Sequence, residues 1–170
     1  MKDQKIPGQR ENRQRARLCL RPFGSAHGQL GGGWWPRSTD LVTELETLAA
    51  AIRSRFGSPG QVHYHASMWA PVPPQADVDG QNVRLVDVRS LDSHTVVLLG
   101  ASARRLRLLV VPPTVHRGTA HAVLRASAVA NHTTSAEDIL ASNGVLDSDS
   151  GEALTAGRHS VNGMPGTGHR

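Results

Sequence analysis

Hydrophobic and polar positions alternate or recur in only part of this chain, and that part sets the predicted domain. The best helical signal runs through Leu41, Leu45, Leu48, Ile52 and Phe56, spaced three or four residues apart as one apolar stripe. Ser38 or Thr39 can cap this helix and Asp40 suits its first turn. Arg53 and Arg55 suit its last turn, and Gly57 and Pro59 stop it. Strand-like alternation appears earlier, where Arg15, Arg17, Cys19 and Arg21 interleave with Ala16, Leu18 and Leu20.

Beyond the helix, Val62 to Trp69 places Val62, Tyr64, Ala66 and Met68 on one face. His63, His65, Ser67 and Trp69 fall on the other. Pro71, Pro73 and Pro74 end this strand and open a loop. Three more strands are expected at Asn82–Arg89, Thr95–Leu99 and Arg104–Val111, joined by links short enough for antiparallel hairpins. A helix is expected from about Thr119 to Ala130 on Ala120, Val123, Leu124 and Ala128. Ser135 with Asp138 marks another short turn. The expected fold is α+β with two layers: a mostly antiparallel sheet of about five strands, with helices packed on one face. Residues 14–142 would form this single domain. Residues 1–13 read as a disordered basic arm and 143–170 as a disordered Gly/Ser/Asp tail.

Charge sharpens this division. Residues 1–30 hold seven Lys/Arg against two acids, residues 31–132 ten against seven, and residues 133–170 two against five. The net charge of +5 therefore owes most to the N-terminal arm. A single cysteine, Cys19, leaves no internal disulfide and fits a reducing compartment. No apolar run reaches the ~20 residues of a membrane helix, and Met1 to Arg17 lacks the apolar core of a secretory signal. The expected location is the cytoplasm, with no membrane partner.

From Gly33-Trp34-Trp35-Pro36-Arg37-Ser38 the chain resembles a family of small uncharacterised actinobacterial proteins, a domain of unknown function. The resemblance continues through Asp40-Leu41, the Tyr64, Trp69 and Pro71 stretch, and Arg89 to Thr95, and closes at Leu108 to Pro113. It covers roughly residues 15–140. It implies a lineage and a single-domain fold, and brings no activity, cofactor or catalytic residue. Ala70 departs from the pattern, standing where that family often carries an acid, and the C-terminal tail is longer.

The candidate chemistry lies in two loops. Trp34, Trp35 and Arg37 precede a helix start, whose free N–H groups favour anions. Arg89, Asp92 and His94 surround a turn. Together they would make a carboxylate or phosphate pocket with indole walls. The same residues also fit a structural role, with the indoles covering one end of the sheet and Arg89 paired to Asp92. A second surface is the sheet face away from the helices, where Arg15, Arg17, Arg21, His63, His65, Arg105 and Arg107 could follow a nucleic-acid backbone. Only Trp69 is at hand there for base stacking.

Nine histidines invite a metal reading, but neither HExxH nor a cysteine pair is present. The chain also lacks a nucleophile elbow, a P-loop and a dinucleotide fingerprint. No cofactor or metal is expected. The leading expectation is a non-enzymatic binding or regulatory module for an anionic ligand or a protein partner. Nucleic-acid binding through the arm and sheet face is the first alternative. An enzyme using Arg89, Asp92 and His94 on an anionic substrate is the second.

Overall fold

A computed structural model describes residues 16–22, 29–131 and 133–146. The expected arm at 1–13, Arg15, and all but the first four residues of the tail lie outside the described residues. Seven strands form one sheet in the order β1-β2-β7-β6-β3-β5-β4. They are β1 (Leu18–Leu20), β2 (Gly32–Trp34), β3 (Gln61–Tyr64), β4 (Gln75–Val78), β5 (Gln81–Asp87), β6 (Thr95–Leu99) and β7 (Arg105–Val110). The helices are α1 (Leu41–Phe56), α2 (Arg117–Val129) and α3 (Ala136–Ser142).

The α+β class stands, and three details are corrected. The sheet has seven strands where about five were expected; it is mostly antiparallel as expected, with four antiparallel pairs, but mixed, since β2 runs parallel to β7 and β3 to β5. β5 and β6 are not hairpin neighbours, because β3 lies between them. Helices pack on both faces. α1 covers one face, burying Leu41, Leu45, Leu48 and Ile52 against Trp34, Val62, Leu85, Leu98 and Leu108. α2 and α3 cover the other face at the β1-β2-β7 end, where Val123, Leu124 and Leu140 meet Trp35, Leu109 and Val111.

Local chemistry explains the elements that pattern alone missed. β2 is a glycine strand because two neighbours crowd it. A Cβ at Gly32, whose φ is +144°, would sit on the Cys19 carbonyl oxygen. A Cβ at Gly33 would meet Ser127 and Leu124 of α2. β4 is joined to β5 by Asp79-Gly80, both at positive φ, and Asp77 Oδ1 accepts from Gly80 N at 2.9 Å. The expected Val62–Trp69 strand ends at Tyr64, where a 3₁₀ turn over Ala66–Met68 breaks the alternation. Trp69 therefore joins the α1-side core with Tyr64 and not the histidine face. α1 is capped by Asp40, and α3 carries the Ser135–Asp138 capping box. Among the described residues, no helix is long and apolar enough to cross a membrane.

Candidate anion-binding surface

Strand direction decides whether the two candidate loops meet. β2, β7, β3 and β5 all point one way, so their carboxyl ends share one rim with the start of β6. Trp34 pairs with Val110, and Val110 N donates to the His94 carbonyl at 2.7 Å. The Trp34–Ser38 and Arg89–His94 segments thus lie at the same end of the sheet, on either side of β7.

Their side chains do not form an indole-walled pocket. As neighbours on an extended chain, Trp34 and Trp35 point to opposite faces. Trp34 is 1% exposed and stacks on Trp69, with ring centroids 5.5 Å apart. Trp35 is 6% exposed on the α2 side, with the Arg17 guanidinium 3.4 Å above its ring centroid. Arg17 also donates from Nε to the Trp35 carbonyl at 3.0 Å. Burial lowers the Arg17 pKa; neighbouring Arg37 lowers it further and Glu44 opposes both. Glu44 is itself buried and accepts from Ser38 Oγ at 3.0 Å. This corner is a brace between β1 and the start of α1.

The remaining rim residues are locally engaged or carry mixed charge. Arg37 and Arg89 are exposed. Asp92 makes no ion pair with Arg89; its Oδ1 accepts from His94 N at 2.8 Å and fixes the turn. His94 is half-buried with Nδ1 3.0 Å from Ser93 Oγ. Burial lowers its pKa while Asp92 and Glu137 oppose the shift, so the ring is neutral at pH 7. The helix starts are already closed: Thr43 N donates to Asp40, Gly118 N to His116, and Asp138 N to Ser135. Asp40, Asp87 and Asp92 lie within a few residues of the two arginines in the chain, and Asp92 and Glu137 act on His94, so this rim has no single sign.

A surface with more arginine than acid lies instead on the part of the sheet that α2 and α3 leave open. β3, β5, β4, residues 97–99 of β6 and residues 105–107 of β7 are covered on the α1 side only, whereas farther along, at Thr95 and Leu109, both sides are buried. Cross-strand pairing lays out the open face in rows. One row reads Gln75, Arg84, Gln61, Leu99, Arg105, and the next reads Val86, His63, Val97, Arg107. Arg84 and Arg105 are exposed, whereas Arg107, His63, Val86, Val97 and Leu99 are half-buried. The described acid on these strands of this face is Asp77, whose Oδ1 is held by the β4–β5 turn.

His63 lies between the arginines. Burial lowers its pKa and the Arg105 charge adds to the effect, so the ring is neutral at pH 7. Its Nε2 is 2.6 Å from Gln61 Nε2, and the amide N–H donates to the neutral ring. His63, Arg105 and Arg107 were legible candidates for this face. Arg84, Gln61, Gln75 and Asn82 were missed, although Arg84 alternates with Val83 and Leu85 as a solvent-facing strand position should. Arg17 lies over Trp35, Arg21 reaches Gln29 at 3.3 Å, and His65 caps the 3₁₀ turn, so these three do not join it. Among the described residues, no three His, Cys, Asp or Glu side chains converge as metal ligands.

A family model described as a family of unknown function (DUF5994) matches residues 17–127. Neither a curated protein nor a solved structure matches the chain.

Proposed function

The chain belongs to the family of unknown function DUF5994, which carries no activity with it, and from the geometry we propose a binding module for an anionic partner. Its working surface is the open face of β4 to β7. One observation carries this reading: Arg84, Arg105 and Arg107 stand on a helix-free face, in paired rows, around half-buried Val86, Val97 and Leu99. Arg84 and Arg105 are three strand spacings apart, about 14 Å. That span suits an extended ligand with spaced negative groups better than one small ion.

The two-loop rim supports the reading less well, because its indoles are enclosed and its charges are mixed. Nucleic acid remains the alternative occupant of the same face, favoured by the spacing of the arginines. The absence of a Phe, Tyr or Trp in either row counts against it, since bases would have the His63 ring alone to stack on. Binding of the full chain to heparin and to single-stranded oligothymidylate, followed against salt, tests both. Heparin binding that falls when Arg105 and Arg107 become glutamine supports the reading. Binding unchanged by those substitutions refutes it. Tighter capture of the oligonucleotide than of heparin would select nucleic acid.

A further inference from the structure

The open face holds a shallow concave place. Gly60, Gln61, Gln75, Asn82 and Arg84 line a depression of about 380 Å³ where β3, β5 and β4 lie side by side. Strand register makes the convergence a consequence of the fold. Arg84 is paired with Gln61 on one side and Gln75 on the other, and Asn82 lies two residues along β5 on the same face. Gly60 removes a side chain at the mouth, where an added Cβ would meet nothing.

The lining dictates the ligand chemistry. Arg84 supplies a planar fork of donors matched to an oxyanion. Three carboxamides supply both donors and acceptors, which is what hydroxyl groups require in return. The lining itself holds one guanidinium and no acid; Asp77, the cross-strand partner of Asn82, adjoins it with its Oδ1 held by Gly80 N. Neither an aromatic nor an aliphatic side chain lines it, so a flat base or a lipid tail gains no apolar contact. Among the described residues, the side chains of Arg84, Gln75 and Asn82 make no hydrogen bond or ion pair, and Gln61 is oriented by His63.

We propose that this depression is a subsite for an oxyanion carried on a hydroxylated framework, a sugar phosphate or a sugar acid. Arg84 binds the oxyanion, and Gln61, Gln75 and Asn82 bind the hydroxyl groups. The inference rests on the reading of the open face as the binding surface, and it locates the specificity of that surface at β3-β5-β4. Arg105 and Arg107 then supply attraction at a distance.

The test is NMR of the isotopically labelled full chain, following the side-chain amides of Gln61, Gln75 and Asn82. The probes are ribose phosphate, glucuronate, ribose and inorganic phosphate. The expected result is a saturable shift of these amides with ribose phosphate or glucuronate, at least about tenfold tighter than with ribose or inorganic phosphate. Whichever of the two anionic sugars binds tighter identifies the oxyanion. Arg84→Gln should abolish the shifts, and Arg84→Lys should recover only part of them, since an ammonium cannot bind bidentately. Arg84 is exposed, so an unchanged thermal midpoint shows that both variants fold. Equal response to inorganic phosphate and ribose phosphate would overturn the subsite. So would still amides beside heparin binding that depends on Arg105 and Arg107, an outcome that leaves the broader reading standing. No response to any probe or to heparin would overturn both.

Discussion

The two halves of the sheet are built from the same kind of strand and finished differently. At the β1-β2-β7 end, α1 covers one face and α2 with α3 the other. The side chains there are large and enclosed: Trp34, Trp35, Leu108 and Leu109. At the β6-β3-β5-β4 end, the α1 side is just as closed, with Val62, Val83, Val96 and Leu98 each 0–1% exposed. Its other side, together with the adjoining residues 105–107 of β7, carries guanidinium groups, carboxamides and His63. The covered half carries the packing, and the proposed binding surface lies on the open half. A doubly covered stretch of strand, such as residues 108–110 of β7, has no side chain to spare for a ligand, whereas a singly covered stretch, such as residues 105–107 of the same strand, presents every second residue to solvent.

The largest expected effect is in the covered half. Trp34→Ala should cost about 3–5 kcal/mol in urea unfolding, because it empties the contact with Trp69 under α1. If Trp34→Ala leaves stability unchanged and weakens binding, the covered half is functional and the comparison collapses. Next in size is the brace between β1 and α1. Arg17→Ala removes a hydrogen bond to the Trp35 carbonyl and a stacked cation, and should cost about 1–3 kcal/mol.

A smaller effect follows from acid. Burial holds the His94 pKa below 6.5 in the folded protein, despite opposition from Asp92 and Glu137. Below that unfolded value the unfolded chain binds more protons than the folded one. Stability is therefore full above 6.5 and falls as pH drops from there towards the folded pKa. Thermal midpoints should decline from about pH 7 to about pH 5, and His94→Gln should flatten part of that decline. His63 on the open half adds a loss of the same sign, from burial and the Arg105 charge. A midpoint that rises on acidification would contradict both. The smallest effect on folding belongs to the open half, where Arg84→Gln and Arg105→Gln should stay within about 0.5 kcal/mol of the parent.

The sequence made some of this contrast legible and hid the rest for identifiable reasons. α1 was readable because its stripe, its acidic start and Gly57 agree. β6, β7 and α2 were readable within a few residues. β2 was hidden because Gly32-Gly33 has no strand propensity; those glycines are set by the close approach of Cys19 and Ser127, which are distant in sequence or on another element. β4 was hidden by the prolines before it, although Asp79-Gly80 is a hairpin signal in its own right. The Trp-Trp pair drew attention as a site because indoles and arginines are common in sites. Strand alternation, applied to Gly32–Trp34, would have sent the two rings to opposite faces. The open face was only half legible, because which strands α2 leaves uncovered depends on strand order.

The most direct test of the central claim compares two sets of variants of the full chain on heparin. One set changes Arg84, Arg105 and Arg107 to glutamine on the open face; the other changes Arg37 and Arg89 to glutamine on the rim. The open-face set should weaken binding by more than about tenfold and flatten its salt dependence. The rim set should stay within about twofold of the parent. The reverse order, a loss from the rim set with the open-face set unchanged, would contradict the account.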